Sequence, residues 1–286
     1  MRGMLMFAHD NGLFDYGKMA YASALAATHH IDEPISLVTD ILTWWKLTEK
    51  YPRAESLFEQ LFFVEPDTSN ERQFDLADGT TTKAEYHNTT RLKAYELSPY
   101  EETLLIDTDI LIQDPSLMKV WGSRSAIRMN CEISEMVKAM YDGNTIVKLE
   151  EKSMPIFWAT ICYFRQCPVA RKLFELAQYV VKNYSYYGVL YGFSTTIVRV
   201  DFALTVAAHI MSGCVHKART VVEPLPDETT TFAWNRDIMI DVEKGRTTFL
   251  TKFNGQEFPV STYRTVHCMN KGSLLNMADR IIECYA

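Results

Sequence analysis

The stretch Leu104-Leu105-Ile106-Asp107-Thr108-Asp109-Ile110-Leu111-Ile112 decides how the rest of the chain is read. An apolar run enters an Asp-x-Asp, and the chain turns apolar again directly after it. Continuous apolarity is the pattern of a strand covered on both faces of a sheet, so the two carboxylates stand where a buried strand emerges at its carboxyl end. Open α/β sheets bind their ligands at that end. Two carboxylates one residue apart, with the chain turning between them, can reach one divalent cation, and oxygen ligands suit Mg²⁺ or Mn²⁺. Such a cation can bridge two phosphates and stabilise charge on a departing group. The plain alternative is that one Asp caps a turn and the other is solvated, as in most isolated Asp-x-Asp matches.

Outward from this segment, short apolar runs alternate with helical patterns, which predicts βαβ units and a mainly parallel sheet. Met4 to Ala8 reads as the first strand, Gly17 to Ala27 as a helix, Ile35 to Thr39 and Leu61 to Val64 as further strands. Asn88 to Leu97 reads as a helix closed by Ser98-Pro99, and it feeds the strand Thr103 to Ile106. In the second half Ile156 to Phe164 reads as a strand, Pro168 to Lys182 and Asp201 to Met211 as helices, Lys217 to Pro226 and Thr247 to Phe253 as extended, and Leu274 to Tyr285 as an amphipathic helix. The polar stretches Asp67 to Thr82, Tyr184 to Gly192 and Pro224 to Asn235 read as loops.

Composition narrows the function classes. The 286 residues are 47% hydrophobic and 23% charged, ordinary values for a chain that buries its own core. A formal charge of -7 excludes a global positive field that would draw in nucleic acid. The six cysteines are scattered, with no C-x-x-C pair, and read as free thiols of a reducing compartment. The opening MRGMLMFAHDNG is too short an apolar run for a signal peptide, and no segment reaches the roughly 18 apolar residues of a membrane span. The expectation is a cytoplasmic protein, in which the sequons at Asn88 and Asn183 carry no information.

Thr90-Arg91-Leu92-Lys93-Ala94-Tyr95-Glu96-Leu97, then Tyr100, then Leu104 to Asp109, resembles in order and spacing the helix, strand and metal motif of the glycogenin-like, family 8, retaining GT-A glycosyltransferases. Phe7-Ala8-His9-Asp10 with Tyr16-Gly17-Lys18-Met19-Ala20 is similar to that family's first strand and nucleotide-pocket helix. Val266-His267-Cys268-Met269-Asn270-Lys271-Gly272 resembles its C-terminal metal and diphosphate segment. The resemblance implies a GT-A fold: a Rossmann-like, mainly parallel sheet flanked by helices, with a smaller acceptor-side mixed region. It implies one domain over residues 1–286, with 1–130 as the nucleotide-sugar-binding half and 131–286 as the acceptor-side half.

The resemblance also implies the site. Asp107, Asp109 and His267 would hold Mn²⁺ or Mg²⁺, the imidazole favouring Mn²⁺. Arg91 and Lys271 would neutralise the diphosphate of a nucleotide-sugar donor, UDP-linked in the first instance. Ala8, His9 and Thr108 would line the nucleotide pocket. Tyr16 would flank the base or serve as helix packing, and Asp201 would contact the transferred sugar or cap the helix that follows it. The chain departs from the family in three places. Lys271 follows His267 by four residues where six are usual, Phe157-Trp158-Ala159-Thr160 replaces an Asn and a Gly, and Asp201-Phe202 replaces Asp-Gln.

The implied activity is transfer of a hexose or pentose to an acceptor with retention, which needs no dedicated carboxylate base. The acceptor stays open between a glycan, a protein and a modified base of viral DNA, for which the Tyr184 to Tyr191 run could offer stacking. A homodimer is left open. A nucleotidyltransferase is the rival enzyme, but Ala8-His9-Asp10-Asn11-Gly12 is not its Gly-rich phosphate loop. The rival of another class is a catalytically silent module that binds a glycan or a partner protein.

Overall fold

A strand buried on both faces needs helices on both sides of its sheet, and the chain supplies them in alternation. The structure, a computed structural model, describes residues 1–67, 70–75, 80–136, 145–149, 154–214, 221–226 and 230–286. The first half runs β1 (Arg2–Ala8), α1 (Tyr16–His30), β2 (Ile35–Thr39), α2 (Ile41–Lys50), α3 (Ala54–Leu57), β3 (Gln60–Phe63), β4 (Glu71–Asp75) and β5 (Thr81–Glu85). A 3-10 turn (Thr89–Lys93) leads into α4 (Ala94–Leu97), β6 (Glu102–Ile106) and β7 (Ile110–Leu111). Then come β8 (Ile127–Asn130), β9 (Trp158–Arg165), α5 (Pro168–Lys182), α6 (Tyr184–Tyr191), α7 (Val200–Met211), β10 (Glu223–Pro224) and β11 (Thr230–Ala233). The chain closes with β12 (Ile238–Glu243), β13 (Arg246–Phe253), β14 (Gln256–Thr262), β15 (Thr265–Cys268) and α8 (Lys271–Tyr285).

The central sheet has seven strands in the order β10-β8-β9-β6-β1-β2-β3. Its neighbours are parallel except β9, which lies antiparallel between β6 and β8. Alternate residues of β1 and β6 enter different cores. Leu5 and Leu105 pack with α5 and α7 through Phe174, Ala177 and Ala203, while Met4, Met6, Leu104 and Ile106 pack with α1 through Ala20, Ala24 and Ala27. The expected mixed α/β sheet, parallel for the most part, is therefore present.

At Ile106 the chain leaves this sheet. It turns through Asp107-Thr108-Asp109, with Ile110 N–H donating to the Asp107 carbonyl at 3.2 Å, and enters a second sheet of order β11-β15-β7. A third, antiparallel sheet, β12-β13-β14, contributes Met239, Val242 and Phe249 to a core shared with α1 and α8.

Several sequence readings change. Asn88 to Leu97 is helical but split, because the Asn88 side chain donates to the Val198 carbonyl at 2.8 Å and does not cap the first turn. Of Asp67 to Thr82, positions 68–69 and 76–79 lie outside the described residues; the rest carries β4 and the start of β5, a hairpin whose polar alternation reflects an exposed face. Tyr184 to Tyr191 is α6, closed by Gly192 at φ 77; Tyr184 and Tyr187 turn into the core, while Tyr186 stays exposed. Pro224 to Asn235 contains β11. Of Lys217 to Pro226, positions 217–220 lie outside the described residues, and Glu223–Pro224 forms β10. The helix α2 was not assigned from sequence; the Asp40 side chain caps it, accepting from Thr43 N–H at 2.8 Å.

Gly3 of β1 lies against the buried ring of Tyr100, whose hydroxyl bonds Ser36 Oγ at 2.7 Å. A Cβ on Gly3 would stand 2.5 Å from two ring carbons. Gly3→Ala is therefore expected to destabilise the fold by about 1–3 kcal/mol, the range for overpacking a filled core. Urea unfolding measures it, and an unchanged midpoint would show that the ring yields freely.

Candidate active site

The site is built on the carboxyl edge of the central sheet. β1 ends at Ala8, buried and paired with Thr39 of β2, and β6 ends one residue before Asp107. Asp107 N–H donates to the Thr160 carbonyl of β9 at 2.9 Å, which fixes the first carboxylate beside the neighbouring strand. Its Oδ1 pairs with Arg91 Nη1 at 3.0 Å, and the guanidinium also reaches the Thr160 carbonyl at 3.4 Å. Arg91 comes from the 3-10 turn, so the helix preceding the strand delivers its cation to the strand's own end.

The second carboxylate is tied to the far end of the chain. β7 pairs antiparallel with β15, Ile110 opposite His267, and Cys268 N–H donates to the Asp109 carbonyl at 2.8 Å. His267 Nε2 therefore lies 3.5 Å from Asp109 Oδ2. Asn270 caps α8, its side chain accepting from Ser273 N–H at 3.0 Å, and this places Lys271 in the first turn with its ammonium on the Asp109 carboxylate. The family spacing of six residues is not needed for Lys271 to arrive.

Ligand atoms of Asp107, Asp109 and His267 lie within 4.8 Å of one another. Oxygen and imidazole ligands at bond lengths of about 2.0–2.6 Å would span such a set around one divalent ion. His267 Nδ1 is buried without a partner among the described residues, and the ring packs edge-on against Phe232 at 5.2 Å. The donor set thus fits a small divalent cation.

Electrostatics divide the two acids. Burial, and after it the negative charge of Asp109, push the Asp107 carboxyl up to about 6, with Arg91 pulling the other way. Burial also works against the charge of Asp109, but Lys271 and His267 outweigh it and hold that carboxyl well below the usual range. Lys271 is raised in turn: burial opposes its charge, and the Asp109 carboxylate prevails.

The remaining expected residues divide into two groups. Thr108 is buried between the acids, its carbonyl accepting from Ser23 Oγ of α1 at 2.7 Å. Tyr16 opens α1, packs against both cores on that face, and lies within the electrostatic reach of Lys271. His9 bonds the Val64 carbonyl through Nε2 at 2.9 Å, at the end of β3. Asp201 is no N-cap, since Arg199 holds that position. Its carboxylate instead accepts from Ala159 N–H at 2.8 Å and from Arg199 at 3.1 Å, tying α7 to the start of β9.

Other polar groups gather at this edge, Trp158 and Thr160 from the segment that stands where the resemblance has an Asn and a Gly, Asn130 and Arg72 without a sequence signal to announce them. Asn130 Nδ2, Trp158 Nε1 and Thr160 Oγ1 are buried and, among the described residues, unpartnered where β8 ends and β9 begins, and Arg199 lies over the Trp158 ring. Arg72 of the β4-β5 hairpin shares a cleft with Phe14, Phe74, Met269 and Lys271.

No family model matches the chain, and no curated protein matches it. Among solved structures it is similar to an active-site mutant of LgtC, at 13% identity over 82% of this chain and 76% of that one, with a TM-score of 0.50. It is also similar to the galactosyltransferase LgtC in complex with donor and acceptor sugar analogs, at 13% identity over 82% and 77%, TM-score 0.49. A third is mouse xyloside xylosyltransferase 1, at 9% identity over 82% and 88%, TM-score 0.47. At such identity the first of these speaks for fold alone, and the fold is of the GT-A type.

Two outcomes are expected of the site itself. Because a cation requires Asp107 ionised, Mn²⁺ affinity should fall as pH drops through about 6. Mn²⁺ titrations between pH 5 and pH 8, on the order of half a unit apart, measure this, and a flat profile would remove Asp107 from the ligand set. Lys271 competes with any cation for Asp109, so Lys271→Met should tighten Mn²⁺ binding without nucleotide by roughly 1–2 kcal/mol. Equal affinity in parent and variant would show that the ammonium stands clear of the ion.

Proposed function

We propose that this chain is a metal-dependent glycosyltransferase that moves a sugar from a nucleotide-diphosphate sugar, UDP-linked, to an acceptor hydroxyl with retention. One observation carries the reading: Asp107 and Asp109 at the end of a central strand, with His267, Arg91 and Lys271 brought to them from a helix and from the C-terminal segment. This set places two carboxylates and an imidazole around one cation position and two further cations beside it, which is what binding and release of a diphosphate require.

A divalent ion, Mn²⁺ by virtue of the imidazole, would supply Lewis acidity at the diphosphate when held by Asp107, Asp109 and His267. The chain's own residues do the rest. Arg91 offers hydrogen-bond donors to a phosphate or sugar oxygen while keeping Asp107 ionised. Lys271 exchanges Asp109 for a phosphate oxygen. Ala8, His9 and Tyr16 border the nucleotide, and Thr108 holds the turn between the two acids. The unpartnered Asn130, Trp158 and Thr160 groups supply hydrogen bonds for sugar hydroxyls, and Asp201 borders the same place.

Retention is supported by the state of Asp201, whose two oxygens are engaged with Ala159 N–H and Arg199. A diphosphate oxygen is then the base that takes the acceptor's proton. No helix among the described residues is long and apolar enough to cross a membrane. The six cysteines stand as thiols and not as disulfides, in keeping with action in the cytoplasm.

Mass spectrometry of the protein with Mn²⁺ and a panel of nucleotide sugars tests the proposal. Metal-dependent release of the nucleoside diphosphate is expected from at least one donor in the parent, and none from Asp109→Asn with its fold intact by circular dichroism. Release that persists undiminished in Asp109→Asn, or no donor turned over or bound at all, would overturn it.

A further inference from the structure

The β4-β5 hairpin has no part in the assignments above, and it carries a cation to the site. Arg72 and Phe74 share one face of β4, two residues apart. Phe74 is buried and packs edge-on against Phe14 at 5.3 Å, just ahead of α1. Asn11 Nδ2 donates to the Glu85 carbonyl at 2.8 Å, and Tyr86 N–H donates to the Asn70 carbonyl at 2.9 Å. The hairpin is thus pinned at its base against the loop between β1 and α1.

The Arg72 guanidinium lies 5.5 Å from the Phe74 ring centre and 5.2 Å from that of Tyr86. Ring contact occupies the faces of a guanidinium and leaves its N–H edge to take two oxygens of one anion. No carboxylate among the described residues pairs with it. Its cleft is also lined by Lys271 and Met269 at the start of α8, where the helix dipole adds positive potential. The phenol of Tyr16 feels Lys271, Asp109 and Arg72 together, which puts all three in one electrostatic neighbourhood.

Charge counting gives this arrangement a purpose. Arg91 balances Asp107 and Lys271 balances Asp109, so a divalent cation adds the two positive charges that an intact nucleotide sugar's diphosphate needs. In transfer the bond from the anomeric carbon to the diphosphate oxygen breaks, and its electron pair stays on that oxygen. The anomeric carbon bonds the acceptor oxygen, whose proton passes to the diphosphate. Until that proton arrives the leaving group bears a third negative charge, and free nucleoside diphosphate bears it again above a pKa of about 6.

We propose that Arg72 is a further diphosphate-binding residue, its guanidinium edge taking the phosphate from which the sugar departs, in the cleft it shares with Lys271. The proposal rests on the donor reading above. It makes Arg72 a residue that binds the leaving nucleoside diphosphate more strongly than the intact donor, so its contribution grows as the bond breaks.

Isothermal titration in Mn²⁺ with inorganic pyrophosphate, UDP and UMP as probes tests it on the parent, Arg72→Ala and Arg72→Lys. Arg72→Ala should bind pyrophosphate and UDP about tenfold or more weakly, the loss expected of a charge-assisted contact, and UMP within about twofold of the parent. Mn²⁺ alone should bind both equally. Arg72→Lys should recover part of the loss, restoring charge without the planar fork. A parent that binds UDP and pyrophosphate no better than Arg72→Ala overturns the proposal and leaves the donor reading standing. An equal loss for UMP and UDP overturns it too, as damage to the hairpin as a whole. A parent that binds pyrophosphate through Arg72 but no nucleoside diphosphate supports the anion cleft and overturns the donor reading; a parent that binds neither overturns both.

Discussion

The pairing of β7 with β15 is the contact on which the site depends. β7 is only two residues long and follows the second carboxylate directly, so whatever pairs with it is delivered to the Asp-x-Asp. Its ladder and the bond from Cys268 N–H to the Asp109 carbonyl place His267 opposite Ile110 and start α8 within reach of Asp109, across 162 positions of sequence for Lys271. Backbone pairing of this kind sets register to a single residue, and a slip by one would turn His267 away from the acids. The third sheet and α8 are the support of that register, since both pack into the core that also holds Val266 and Cys268.

Two carboxylates side by side, Asp109 buried and Asp107 half-buried, are costly unless each is paired, and here each has its own cation. The two pairs are not equivalent. Arg91 and Asp107 lie on neighbouring elements of the central sheet's edge, whereas Lys271 and His267 reach Asp109 from the C-terminal segment. The result is one acid raised toward neutrality and one held ionised. A site organised in this way remains charge-balanced before any cation or anion enters.

The sequence was legible where local pattern and tertiary burial agree. The apolar run of β6, its Asp-x-Asp, the amphipathic α5 and the strand β13 all carry their own periodicity, and the structure has them within a few residues of the reading. The hairpin β4-β5 and helix α6 were misread because their residues are polar or aromatic with no period that a single element would impose. Phe74 is buried where Phe14 and Tyr86 meet it, and Tyr184 where it packs on Phe193, its hydroxyl accepting from Arg199 N–H at 2.9 Å. For the same reason Arg72 and Asn130 gave no signal: each is an ordinary residue until other strands or loops surround it.

The amino-acid sequence by itself determined that a mainly parallel α/β sheet would form and that two acids would stand at the end of a central strand. Those properties follow from short-range spacing, since burial on both faces requires continuous apolarity and the turn after it requires only neighbouring residues. Tertiary structure alone decided that His267 meets Asp109, that Lys271 reaches Asp109 at a spacing of four from His267, that Asp201 binds β9 in place of capping its helix, and that an arginine of a hairpin enters the same cleft. These are contacts between segments remote in the chain. Their geometry is set by sheet register, helix capping and the packing of neighbouring elements, none of which is written in the residues that make the contact.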